Sequence, residues 1–104
     1  MLMSEGTWLA CVDCKVMLPL GRAVKDPATR DIVFIAEYRS GRPARLDERL
    51  DRVLWKMLAE HPGHRLEVVR ENSTQLDDLG EMLTLGEDEI GSPTLEEYLA
   101  GWPG

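Results

Sequence analysis

The chain contains two cysteines and two histidines, and both pairs share one spacing: Cys11-Val12-Asp13-Cys14 and His61-Pro62-Gly63-His64. Thiolate and neutral imidazole are the protein donors that zinc prefers, in sets of four around a tetrahedron. A C-x-x-C turn lets two sulfurs face one ion, and its backbone amides tend to point at the sulfurs. The second pair repeats this logic where a helix ends, with one imidazole on the last turn and one on the exit loop. One structural Zn2+ per chain, held by Cys11, Cys14, His61 and His64, is the expectation. The alternatives are a redox pair or small core cysteines, with the histidines incidental. A thioredoxin-like C-x-x-C opens a helix, whereas Lys15-Val16-Met17-Leu18 is strand-like and is followed by Pro19, which disfavours the redox alternative.

A metal would suit a chain of this size. At 104 residues it makes one domain, and such a domain buries only about two-thirds of the surface its unfolded chain exposes. Six aromatics supply few large core anchors. The N-terminal residues show neither a basic n-region nor an apolar h-region, so no signal peptide is expected. Gly6–Val12, the longest uncharged run after them, is too short to span a membrane. Two cysteines are few for a disulfide scaffold, and a reducing compartment, by default the cytoplasm, is expected.

Trp8–Val12 and Lys15–Leu18 read as strands around the cysteine turn, and Pro19, Gly21, Asp26 and Pro27 as a loop. Asp31–Tyr38, rich in β-branched and aromatic residues, reads as a third strand, and Leu66–Arg70 as a fourth. The strongest element is a helix from about Pro43 to His61. Leu46, Leu50, Val53, Leu54, Met57 and Leu58 fall on one arc at 100° per residue. Arg45, Arg49, Arg52 and Lys56 share another arc, and Trp55 projects away from the apolar one. Further on, Leu76, Leu79 and Leu83 suggest a weak helix. Ser92-Pro93-Thr94 starts a short one carrying Leu95, Tyr98, Leu99 and Trp102. The expected class is α+β: a small antiparallel β-sheet with one main amphipathic helix packed on it, stabilised by zinc. Residues 1–70 are expected to form this core, and residues 71–104 an acidic segment with short helices packed on the same domain.

Hairpin cysteines, a helix, then two histidines at its C-terminal end is the ligand order of C2H2 zinc fingers, and this chain resembles an enlarged one over residues 8–64. The 46 residues between Cys14 and His61 far exceed the spacing of that family, so no mode of reading DNA carries over. The segments Cys11–Val16 and Leu54–His64 are also similar to small uncharacterised bacterial zinc-binding proteins with paired CxxC and HxxH motifs. That resemblance implies a metal site and no activity.

Four matched ligands with no spare histidine leave no open position on the metal, and catalytic zinc needs one. Asp13 and Glu60 are the nearby acids, but no nucleophile, glycine-rich phosphate loop or spaced carboxylate pair accompanies them, so an enzyme is not expected. All twelve Lys and Arg lie between Lys15 and Arg70, and residues 71–104 hold nine acids and no base. The stripe Arg45, Arg49, Arg52, Lys56 is read either as a solvated helix face or as a phosphate-contacting surface. With a net charge of -7, nucleic-acid binding is the alternative reading, with the acidic tail folded over the stripe as an autoinhibitor. The first expectation is a non-enzymatic interaction or regulatory module that binds another protein or itself. Trp55, Tyr98 and Trp102 are the candidate contact residues, and the last two are equally able to cap the protein's own core. No membrane partner is expected.

Overall fold

The turn at the cysteines folds the N-terminal part of the chain into a long hairpin, and the rest of the molecule is built around it. A computed structural model of the chain describes residues 3–38, 40–71, 83–86 and 93–104. In these, β1 (Met3–Cys11) pairs antiparallel with β2 (Val16–Lys25) on one side and with β4 (Leu66–Arg70) on the other. β3 (Ile32–Ala36) pairs antiparallel with β2, giving the order β3-β2-β1-β4. A two-residue strand, β5 (Leu83–Thr84), adds to β2 in parallel. Helix α1 (Glu48–Glu60) connects β3 to β4, and a short helix, α2 (Leu95–Leu99), lies near the C-terminus. The α+β class expected from the sequence is the one observed. No helix among the described residues is long and apolar enough to cross a membrane.

α1 starts later than the apolar pattern suggests. Pro43 is followed by a 3-10 turn, Ala44–Leu46, and the chain then extends at Asp47. The Asp47 carboxylate accepts from the amides of Arg49 and Leu50, so this residue caps the helix instead of lying within it. Leu46 therefore falls outside the helix and is exposed. Val53 and Met57 are fully buried and meet Leu9, Cys11 and Leu18 of the hairpin.

The loop expected at Pro19 and Gly21 is instead the middle of β2. Proline is tolerated in a strand only where no ladder bond is asked of it. The pairing with β1 shifts register between Thr7 and Trp8, which opposes Pro19, and leaves Leu20 as the extra residue of a bulge. On the other edge of β2, β5 pairs with Val16 and Met17 while the pairing with β3 starts only at Arg22, so Pro19 falls in the gap. Gly21 has φ +137°, and a Cβ there would stand 2.2 Å from the carbonyl oxygen of Ala36. Glycine is what lets β3 approach at this point.

The N-terminal end of β1 was not readable as strand, because Ser4, Glu5 and Gly6 are poor strand formers. It pairs nonetheless, Met3 opposite Lys25 and Glu5 opposite Ala23. Glu5 is buried, and its carboxylate meets the Lys25 ammonium at 3.3 Å and the Arg70 guanidinium. Burial pushes its pKa up, but the hydrogen bonds from Arg70 and Lys25 outweigh this and hold it below the ordinary glutamate value.

The described parts of the acidic segment belong to the same core. Leu85 and Leu99 are buried with Leu18, Val53 and Met57, and Leu95, Tyr98 and Trp102 pack against them. Thr94 caps α2 through a reciprocal pair of hydrogen bonds with Glu97. Leu83, expected in a weak helix, is in β5. Leu76 and Leu79 lie outside the described residues.

Candidate metal centre

β1 delivers Cys11, fully buried, to the edge of the core. The following four residues turn back on themselves, with the Lys15 amide donating to the Cys11 carbonyl at 2.9 Å. Lys15 takes a left-handed φ of +56°, which a side chain adopts at some cost. In return the Cys14 amide points at Cys11 Sγ, 3.4 Å away, as a C-x-x-C turn around a metal requires. Cys14 itself faces solvent, and both cysteines are free thiols.

The histidines arrive from the opposite direction. His61 is the C-cap of α1, where the helix stops at Pro62-Gly63. Gly63 sits at φ +78°, the left-handed conformation that turns the chain at a helix end. The His64 amide then donates to the His61 carbonyl at 3.2 Å. β4 begins two residues later, and its register places Leu66 opposite Cys11. Two further bonds clip the halves together. The Val12 amide donates to the Arg65 carbonyl at 3.0 Å, and the Arg65 amide donates to the Asp13 carboxylate at 2.7 Å.

The outcome is a cluster in which one donor atom from each of Cys11, Cys14, His61 and His64 lies within 4.8 Å of all the others. His64 Nδ1 is 3.5 Å from Cys11 Sγ and 3.3 Å from Cys14 Sγ. Around a tetrahedral ion with ordinary metal–sulfur and metal–nitrogen bonds, sulfur and nitrogen stand about 3.6 Å apart. These two separations are close to that spacing. The rings of His61 and His64 meet edge to face, centroids 5.3 Å apart. His61 Nδ1 lies 2.5 Å from the Met57 carbonyl. That oxygen can only accept, so Nδ1 carries the proton and Nε2 is left with its lone pair for a metal. This is the outer hydrogen bond that metal-bound histidines commonly make. The four residues named from the sequence can thus hold a metal ion together.

Desolvation, the neighbouring Cys11 thiol and the Asp13 carboxylate push the Cys14 thiol above its ordinary pKa, whereas reactive thiols are held low by positive surroundings.

The other candidate residues do not join this centre. Arg49 pairs with Glu96, Arg52 donates to the carbonyls of Gly104 (3.0 Å) and Trp102 (3.3 Å), and Lys56 donates to the Tyr98 carbonyl. The Lys56 ammonium also lies 4.1 Å from the centre of the Tyr98 ring. Three residues of the basic stripe, Arg49, Arg52 and Lys56, are thus engaged by the chain's own C-terminal segment. The Arg49 bond lowers the Glu96 pKa and raises that of Arg49. Tyr98 is half-buried and its hydroxyl donates to Glu60; burial and that hydrogen bond push its pKa up. Trp102 packs on the core. Trp55 stands out in solvent, and Arg45 lines an apolar cleft away from the rest of the stripe.

Sequence reasoning treated Asp13 as a possible acid. Its role is to clip the cysteine turn to Arg65, and the signal was its place in a turn, where aspartate binds backbone amides. The Met57 carbonyl had no sequence signal beyond lying four residues before His61. The chain matches no family model, no curated protein and no solved structure.

Proposed function

We propose that Cys11, Cys14, His61 and His64 hold one structural zinc ion, and that the domain fixed in this way serves as a protein-interaction or regulatory module without catalysing a reaction. The closed donor set carries this reading. Two sulfurs and two imidazoles suit zinc, which has no redox chemistry of its own and accepts a tetrahedron. Four protein ligands leave it no position for a substrate. The acids nearest in sequence are occupied elsewhere, Asp13 by the Arg65 amide and Glu60 by the Tyr98 hydroxyl. Two free thiols as ligands fit a reducing compartment such as the cytoplasm.

The test is metal analysis of the full chain, purified without a histidine tag. About one equivalent of zinc is expected. A protein that is folded and carries no metal would overturn the reading and return Cys11 and Cys14 to redox chemistry.

One observation favours a second reading. The C-terminal segment lies across Arg49, Arg52 and Lys56 as an inhibitor of phosphate binding would. If the stripe serves nucleic acid, Glu96→Lys should create retention of DNA or RNA that falls steeply with salt. On the interaction reading neither the full chain nor this variant is retained at low salt.

A further inference from the structure

The apolar arc of α1 borders an open surface as well as the core. Val53 and Met57 face the core, while Arg49, Arg52 and Lys56 hold the C-terminal segment. Leu50 and Leu54, which pack against the core on one side, and Leu58 also wall an open cleft of about 530 Å³, whose other side is formed by Leu20, Phe34 and Val68. Val68 is 56% exposed, Leu58 40% and Phe34 37%. Trp55, 61% exposed, stands beside the cleft on the same helix. It is one turn from both Asp51 and Leu58, which line the cleft.

We propose that a second copy of this chain covers the cleft, with Trp55 of each copy seated against the cleft of the other. A protruding indole beside the rim of an apolar cleft supplies the two halves of a self-complementary contact. A two-fold axis brings each knob to the other's hole and closes the assembly at a dimer. The volume is ample for an indole. Charge selects the same face. At a net charge of -7, two copies repel over most of their surfaces. The cleft carries one cation and one anion, Arg45 and Asp51, and among the described residues neither makes an ion pair. A neutral rim with one charge of each sign can be met by its own rotated copy, Arg45 by the partner's Asp51. A free carboxylate or ammonium ligand would meet repulsion from one of the two.

This deepens the interaction reading and rests on it, naming the partner. The test is sedimentation velocity on the full chain over about 1 to 500 μM, with zinc content and far-UV circular dichroism read on the same samples. A monomer–dimer equilibrium is expected. Trp55→Ala should weaken it about thirtyfold or more, as loss of a central tryptophan does. Leu58→Asp, which puts a charge into the cleft wall, should abolish it. Val33→Asp, on the exposed strand β3, should leave it unchanged. A monomer at every concentration overturns the pairing, and with zinc bound it leaves the metal reading standing. A folded dimer without zinc does the reverse. A dimer that survives both Trp55→Ala and Leu58→Asp, or one dispersed by Val33→Asp alone, overturns the assignment of this face. If either cleft variant loses its native dichroism, the other decides.

Discussion

Replacing Cys14 with serine should strip the metal from the protein and abolish its cooperative unfolding. The position makes this a sharp experiment. Cys14 faces solvent and takes no part in the buried cluster of the core. In a metal-free fold, trading its sulfur for oxygen is a surface change worth about 0.5 kcal/mol or less. In a zinc-bound fold it removes one of four ligands from a site whose apparent binding energy is about 10–16 kcal/mol. The whole stability of a domain this size is about 5–15 kcal/mol, so the loss is enough to unfold it. Urea titration followed by circular dichroism, with zinc measured on the same sample, reads the difference. An unchanged midpoint in Cys14→Ser would mean that the fold stands without a metal. The same substitution at buried Cys11 is less informative, because it alters the core as well.

The second large effect is expected at Glu5. Glu5→Ala should cost about 3–5 kcal/mol, the usual result of removing one member of a buried charge group. The carboxylate is almost fully enclosed, and Lys25, which would lose its partner, is itself only 14% exposed. Arg70 is more open and contributes less to the loss. The sign of the pH dependence follows from the lowered pKa. The stabilisation is complete above the unfolded value of about 4.3 and is lost as pH falls through the folded one. The difference between the two proteins in urea should therefore be the same at pH 8 and pH 6. A difference that shrinks between those values would mean that Glu5 titrates there and is not held by its two cations.

The metal ligands were legible because their chemistry is sparse. With only two thiols and two imidazoles in the chain, spacing alone named the set. The class was legible for a related reason: Leu50–Leu58 repeats with helical period, and Ile32–Ile35 with strand composition. What escaped was decided by contacts that local patterns do not encode. Pro19 and Gly21 look like loop until the bulge opposite Trp8 and the approach of Ala36 are known. Asp47 looks like an interior helix residue until its carboxylate is seen capping Arg49 and Leu50. Glu5 reads as surface, and only strands that arrive from Lys25 and Arg70 make it interior.

β1 comes first in the chain but lies in the middle of the sheet, between β2 and β4. During synthesis its hairpin with β2 is local and can form as soon as Lys25 is available, presenting two thiols on a finished turn. The imidazoles follow only when residue 64 has emerged, and the strand that locks them beside Cys11 ends at Arg70. Closing that long loop is the entropically costly step of folding. A metal already resting on the Cys11–Cys14 turn would then act as a capture point, turning a random search by the helix end into ligand exchange at a fixed place.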